Sequence, residues 1–287
     1  VRAESWQEIA ATDFDLARTL DSGQVFHWEK CGNGYAGTIG PNGIYVEQRQ
    51  EQLRFSGITS EAIGNYFALD HPLADICRSF PDDPAMIAAR SFCEGLRIIR
   101  QPRWECLATF ITSSMKQVAH IRQMSRTLRA RYGQKKRVAG CEVHSFPTAG
   151  RIAKLTEQDL RGCALGYRAK NLLGSARLVA SGEADLAQWS ELSDEALRGR
   201  LCELSGVGAK VANCVMLFAY ERLRAFPIDV WIERVLKQEY FPRKRKVTAT
   251  QLRAFCDTYF GEHGGYAQQY LFHHARKGGA APRVAAR

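Results

Sequence analysis

Between residues 23 and 55 the chain alternates short apolar runs with turn-forming residues. Gly23 to Glu29, Gly34 to Ile39, Gly43 to Arg49 and Gln52 to Phe55 are each rich in aromatic and β-branched residues. Gly32-Asn33-Gly34 and Pro41-Asn42-Gly43 separate three of them, so the pattern predicts a small antiparallel meander. From about Ser60 the apolar spacing becomes helical. Over 85–100 it places Ile87, Phe92, Leu96 and Ile99 near one face. Further amphipathic segments over 104–111, 118–132, 170–180, 194–204, 210–220, 230–240, 249–260 and 265–274 predict helices. The expected fold class is α+β: an N-terminal antiparallel β domain over 1–84, then a mainly α-helical region over 85–287. The tail after Gly278 is small and basic and is expected to fray.

Composition narrows this only a little. The chain has 287 residues, enough for one large domain or two to three small ones, each around its own core. No apolar run reaches the roughly 18 residues of a membrane span, so no membrane is expected. The first fifteen residues carry four acidic side chains and no apolar core, unlike a signal peptide, and they do not begin with Met. Forty Lys and Arg against thirty Asp and Glu give a net charge of +10. That balance suits a polyanion such as nucleic acid, and equally a merely soluble basic protein. Nine cysteines are scattered with no C-x-x-C and no four at zinc or iron–sulfur spacing, so no metal or other cofactor is implied. Several sit in apolar helical patterns as small hydrophobes, which suits a reducing, intracellular compartment: the cytoplasm or nucleoid of a bacterium, or a eukaryotic nucleus.

The most informative stretch is 201–212, LCELSGVGAKVA. One helix ends near Leu204, Ser205-Gly206-Val207-Gly208 turns the chain, and a second helix starts at about Ala209. Gly206 and Gly208 permit tight dihedrals and leave backbone N–H groups uncovered at the positive end of a helix, which suits a DNA phosphate. A plain αα-turn with a glycine C-cap has the same look, and G-x-G alone is a weak signal. The whole L-x-x-L-x-G-V-G-x-K, followed by an apolar helix, is more specific. Lys210 opens that helix among apolar or small residues. An isolated lysine there would snorkel to water; one held partly desolvated at a helix N-terminus would lose its proton more readily and become a nucleophile. Nineteen residues on, in Ala225-Phe226-Pro227-Ile228-Asp229, Asp229 stands where the N-cap of the next helix belongs. A carboxylate there can cap a helix, help deprotonate an incoming amine and stabilise positive charge on an opening sugar.

G-V-G-x-K, an apolar helix and then P-x-D resemble the helix-hairpin-helix glycosylase superfamily, and within it the 8-oxoguanine DNA glycosylases. The resemblance extends beyond the hairpin. Ser22-Gly23-Gln24-Val25-Phe26-His27-Trp28 is similar to the family's S-G-Q-x-F-x-W, and Tyr66-Phe67-Ala68-Leu69-Asp70 to its Y-F-x-L-D. The run 95–114 is similar to its G-x-R-x-x-R-Q-x-x-x-E-C-L-x-x-F-I-x-S-S. Leu165-Gly166-Tyr167-Arg168-Ala169, Tyr266-Ala267-Gln268 and Leu271-Phe272 match too, so the likeness spans roughly residues 13 to 275.

The resemblance implies a helix-hairpin-helix glycosylase core of two helical subdomains with the active-site cleft between them. It also implies a bifunctional DNA N-glycosylase/AP lyase that excises 8-oxoguanine from duplex DNA in base-excision repair, acting as a monomer. The base must be flipped out, because its bond is inaccessible in the stack. Lys210 matches the lysine that attacks the anomeric carbon, forms a Schiff base and allows β-elimination of the 3′ phosphate; Asp229 matches the catalytic aspartate. Gly23 matches the glycine whose carbonyl accepts the N7 hydrogen that 8-oxoguanine has and guanine lacks. Cys214 and Phe272 match the residues that sandwich the base, and Gln268 the one at its Watson–Crick edge. Tyr167 matches the wedge beside the vacated space, and Arg168 the arginine on the opposite base. Singly, each has a commonplace reading: a turn, a core position, a solvated face; the joint spacing favours the functional one.

Two departures stand out. Where the family often carries an Asn-rich run that fills the hole left by the lesion, this chain has Met115-Lys116-Gln117. Where it commonly has a second arginine reading the opposite cytosine, this chain has His120. Weaker discrimination for cytosine is therefore expected. Trp231 stands where some members carry a phosphate-contacting histidine. Basic runs over 129–137 and 243–246 are either phosphate contacts or solvated loops. Three rivals remain. Endonuclease III-like enzymes usually carry four C-terminal cysteines, and none follows Cys256; alkylpurine glycosylases generally lack the lysine; a non-catalytic DNA-binding module would use the hairpin only to hold phosphates.

Overall fold

The structure, a computed structural model, describes residues 5–114, 116–244 and 246–278. Met115, Arg245 and the tail after Gly278 lie outside the described residues. The N-terminal part is a 5-stranded antiparallel sheet. Glu29–Cys31, Gly34–Ile39, Asn42–Arg49 and Gln52–Ser56 run as a meander, and Gln7–Ala10 adds to its last strand. Ile44, Val46, Leu53 and Phe55 project from it into a core closed by Phe14, Ile63 and Phe67.

Two expectations for this region are corrected. The strand Gln7–Ala10 lies ahead of the predicted meander. The segment 23–28 is not a strand: it passes between the sheet and the helices and takes its hydrogen bonds from side chains. The Gln24 side chain supplies them, accepting from the Ile99 N–H at 2.7 Å and donating to the Arg97 carbonyl at 2.8 Å. A buried connector needs the same apolar composition as a strand, so composition cannot separate the two.

Short helices Leu16–Asp21, Ser60–Tyr66 and Leu73–Arg78 come first; the next helix, Pro84–Phe92, is capped by Asp83 and stops well short of residue 100. Gly95 gives its carbonyl to the Asp15 N–H at 2.8 Å, and 96–101 run extended, bonded to Tyr66 and Phe218. The long buried helix Arg103–Ser113 follows, then Val118–Tyr132. The run 129–137 resolves into the end of that helix and the strand Lys135–Val138, which pairs with Cys141–His144 in a hairpin the periodicity did not predict. Arg129 is buried, ion-paired with Glu105 and bonded to Thr38 at 2.8 Å, so it serves the interior and not a phosphate. Cys31 and Cys141, 110 residues apart, form a disulfide between this hairpin and the sheet. The cysteine spacing did not foretell it.

Arg168–Ser181, Asp194–Cys202, Ala209–Ala219, Val230–Val235, Ala249–Tyr259 and Gly264–Lys277 complete the helical layer. Helix Val230–Val235 runs on into a π-helical turn over 236–240. Ala209–Ala219 lies against Arg103–Ser113 and Asp194–Cys202, its residues 211–218 buried. Among the described residues no helix is long and apolar enough to cross a membrane.

Candidate active site

The hairpin forms as its residues dictate. Leu201, Leu204 and Val207 are buried between its helices, and the Val207 N–H bonds the Leu204 carbonyl at 3.1 Å. Gly208 is the extended N-cap of Ala209–Ala219, so the N–H groups of that first turn begin without intrahelical acceptors. Lys210 sits half-buried in this turn, its Nζ 5.3 Å from the centre of the Phe110 ring. Cys214 lies one turn on, on the same face, and is buried.

Asp229 caps Val230–Val235, its Oδ1 accepting the Ile232 N–H at 2.8 Å. Capping and a catalytic placement therefore coexist. Burial pushes the Asp229 carboxyl above its ordinary value, against the pull of the Ile232 N–H and of the Lys210 charge. The Cys214 thiol is pushed up to about 11, chiefly by burial; Lys210 draws it down and the Asp229 charge draws it up. The Lys210 charge thus acts on both the Cys214 thiol and the buried Asp229 carboxyl, which places the three in one electrostatic neighbourhood.

The C-terminal helix Gly264–Lys277 brings in the next group. Gln268 is only 4% exposed, and its buried Oε1 has no hydrogen-bond partner among the described residues. Burying an unpaired amide oxygen is unfavourable by about 1–3 kcal/mol, so it points to a ligand with an N–H to offer. Phe272, one turn on, is half-buried. Gly23 reaches it from the N-terminal part: its φ is +89°, and a Cβ there would lie 2.9 Å from Phe272 Cε1. A side chain at residue 23 would be strained at this φ and would push the Phe272 ring aside.

On the other side Tyr167 is 57% exposed, a ring left in water just before helix Arg168–Ser181. Arg168 is buried, not solvated. Its guanidinium lies 4.4 Å from the Tyr167 ring centre and donates to the Ser114 carbonyl through Nε, at 2.8 Å, and through a terminal nitrogen. His120 is exposed in the first turn of Val118–Tyr132. Met115 cannot be placed with them, since it lies outside the described residues. Trp231 is half-buried under the Arg234 guanidinium, 6.0 Å from its ring centre.

Sequence reasoning missed Phe110, Gln269 and Arg276. Phe110 underlies the lysine from a helix a hundred residues earlier, and a periodic apolar residue carries no mark of that duty. Cavity size does not single out the site: a cavity of about 540 Å3 is lined by Trp104, Tyr132 and Phe146, one of about 400 Å3 by Leu73, Ile87 and Tyr270, and neither is lined by Lys210, Asp229, Gln268 or Phe272. Among the described residues no group of three or more His, Cys, Asp or Glu is arranged to hold a metal ion.

Comparison with known proteins agrees with this geometry. Residues 8–107 match the 8-oxoguanine DNA glycosylase N-terminal domain, and residues 108–258 match the HhH-GPD superfamily of base excision DNA repair proteins. The N-glycosylase/DNA lyase of Saccharomyces cerevisiae is 30% identical, over 85% of this chain and 73% of its own. N-glycosylase/DNA lyase OGG1 of Arabidopsis thaliana is 29% identical, over 92% of this chain and 78% of its own. The 8-oxoguanine glycosylase/lyase of Clostridium acetobutylicum, solved with duplex DNA containing cytosine opposite 8-oxoguanine, superposes with a TM-score of 0.88 at 29% identity, covering 95% of this chain and 98% of that one. The chain belongs to the HhH-GPD superfamily of base excision DNA repair proteins, and its N-terminal domain and lyase relatives set it among the 8-oxoguanine DNA glycosylases.

Proposed function

We propose that this protein flips 8-oxoguanine out of duplex DNA, excises it through Lys210 and then cleaves the strand at the abasic sugar. The observation that carries the reading is the placing of Lys210 on the first turn of the hairpin helix, in the same electrostatic neighbourhood as Asp229. The Lys210 lone pair forms the bond to C1′ as the bond from C1′ to the base breaks and its electron pair leaves with the base. The Asp229 carboxylate takes up the amine proton or balances the charge that develops on the sugar. Ring opening gives the Schiff base, whose electron sink lets the 2′ proton leave and the 3′ phosphate depart.

The base lies between Cys214 and Phe272, with the Gly23 carbonyl at N7 and the Gln268 oxygen at an N–H of the Watson–Crick edge. The unpaired Gln268 oxygen and the close approach of Gly23 to the Phe272 ring support these roles. N–H groups of Gly206, Val207 and Gly208 hold a phosphate beside the flipped nucleotide. Tyr167 wedges the stack, and Arg168 with His120 borders the opposite base. Lys210, Asp229, Gly23 and Gln268 all belong to one chain, so a monomer suffices, working inside the cell where its DNA is.

Borohydride reduction tests the chemistry. Wild-type protein on an 8-oxoguanine duplex should give a covalent protein–DNA adduct, and Lys210→Gln should bind the same duplex and give none. Binding by wild type without adduct and without released base would leave only a DNA-binding module.

A further inference from the structure

Gly23 is where lesion and normal base would be told apart, and glycine is the residue least able to hold its own carbonyl in place. Lacking a Cβ, it reaches both signs of φ, so its peptide planes turn at little cost. A single carbonyl that discriminates on one hydrogen needs fixing from outside. The structure shows three successive carbonyls treated differently. The Ser22 carbonyl accepts from the Gln269 side-chain amide at 2.9 Å. The Gln24 carbonyl accepts from the Gln101 side-chain amide at 2.7 Å. Between them, no described residue donates to the Gly23 carbonyl. The residue before, Asp21, gives its carbonyl to the Arg276 guanidinium.

Gln269 is 3% exposed and adjoins Gln268 on helix Gly264–Lys277. Neighbouring helical positions point about 100° apart. One helix therefore presents one glutamine as a free acceptor to the site and the next as a donor to the loop. Arg276, two turns beyond Gln269, meets the same loop and lies 5.8 Å from the Phe272 ring centre.

We propose that Gln269, assisted by Arg276, is a positioning residue for lesion discrimination: it pins the Ser22 peptide so that the Gly23 carbonyl stays turned to N7 of the flipped base. The proposal rests on the reading of Gly23 given above. It ties the reader of the base's N7 side to the helix that carries Gln268 and Phe272, so both sides of the base are registered against one rigid element. Gln269 itself touches no substrate.

The test uses Gln269→Met, which keeps the volume and removes the donor. Three quantities are measured on the full chain: single-turnover excision from an 8-oxoguanine duplex, cleavage of a preformed abasic duplex, and the binding preference for 8-oxoguanine over guanine in a Lys210→Gln background. Losing the fixed acceptor should lower the preference and the excision rate by about tenfold, the worth of one hydrogen bond. Cleavage of the abasic duplex has no base to read and should change by less than about twofold. An unchanged preference would overturn the proposal. So would a parallel fall in excision and abasic cleavage, which would mark a general packing role. If Gln269→Met does not fold, Arg276→Met replaces it; the same ratio should fall, and a wild-type ratio overturns the proposal. A wild-type protein with no preference for 8-oxoguanine would instead overturn the reading of the site itself.

Discussion

The two sides of the site are built to different standards. On the side proposed to hold the lesion, the loop around Gly23 is tied down. Gln24 bridges Arg97 and Ile99, Gln101 and Gln269 hold the carbonyls on either side of Gly23, and Gln268 is buried with its oxygen waiting. On the side proposed to face the opposite base, Tyr167 and His120 stand in solvent, and Arg168 has already committed donors to the Ser114 carbonyl. Preorganised groups discriminate because they do not pay an ordering penalty when the ligand arrives, whereas exposed, rearranging groups must. The contrast predicts an enzyme strict about the damaged base and lenient about its partner.

The largest effect should come from the chemistry that serves both sides. Asp229→Asn keeps a side chain able to cap Val230–Val235 and removes the charge, so single-turnover excision should fall by about 10²–10⁴-fold while the Kd for 8-oxoguanine DNA stays near wild type. Because burial raises the Asp229 carboxyl above its ordinary value, two pH effects follow. The ionised form is the active one, so the acid limb of the excision rate should lie above the ordinary carboxylate range. The folded state binds this proton more tightly than the unfolded chain, so Asp229 adds stability when protonated and loses it as pH rises through that window. Asp229→Asn should therefore melt no lower than wild type at neutral pH. A wild-type excision rate for this variant would remove Asp229 from the mechanism.

A smaller loss should separate the two sides. Gln268→Met removes the unpaired buried oxygen, so it should raise stability, by about 1 kcal/mol in a denaturant titration. The same change removes a contact to the base and should slow excision by about tenfold or more, with cleavage of an abasic duplex spared. Stability that rises as activity falls is what a group held unsatisfied for a ligand should show. A destabilised variant would mean that Gln268 serves the fold, and the lesion side would then lose its claim to be preorganised.

How far these two sides were legible in the sequence follows the same division. Gly206, Val207, Gly208 and Lys210 could be read because a hairpin is written in local turn chemistry and local periodicity. Asp229 could be read as a cap from position alone, its pairing with Lys210 was one reading among others, and the resemblance favoured that one. The segment 23–28 was misread as a strand because a connector buried between two layers has a strand's composition. Gln269 could not have been read, since its partner Ser22 lies 247 residues away and a glutamine beside Gln268 looks like any polar helical position. The Cys31–Cys141 pair was hidden for the same reason: only folding brings the hairpin over the sheet. Local chemistry showed where the hairpin and its lysine lie; long-range side-chain bonds decide how well the base is held.

The smallest expected effect bears directly on the lenient side. An arginine reads a base by offering two N–H donors in a fixed fork, and a good bidentate contact is worth about 1–3 kcal/mol of discrimination. His120 offers at most two ring nitrogens, of which a neutral ring leaves only one as a donor. Arg168 already spends its Nε and one terminal nitrogen on the Ser114 carbonyl, so it has fewer donors left to offer an opposite base. Excision of 8-oxoguanine should therefore vary by less than about tenfold across cytosine, adenine, guanine and thymine opposite. His120→Arg should widen the margin for cytosine by about fivefold, the equivalent of roughly 1 kcal/mol. A wild-type enzyme that already prefers cytosine strongly would break the comparison, because it would require that Arg168 or the segment around Met115 reads the partner base as firmly as Gln269 and Gln101 hold the lesion loop.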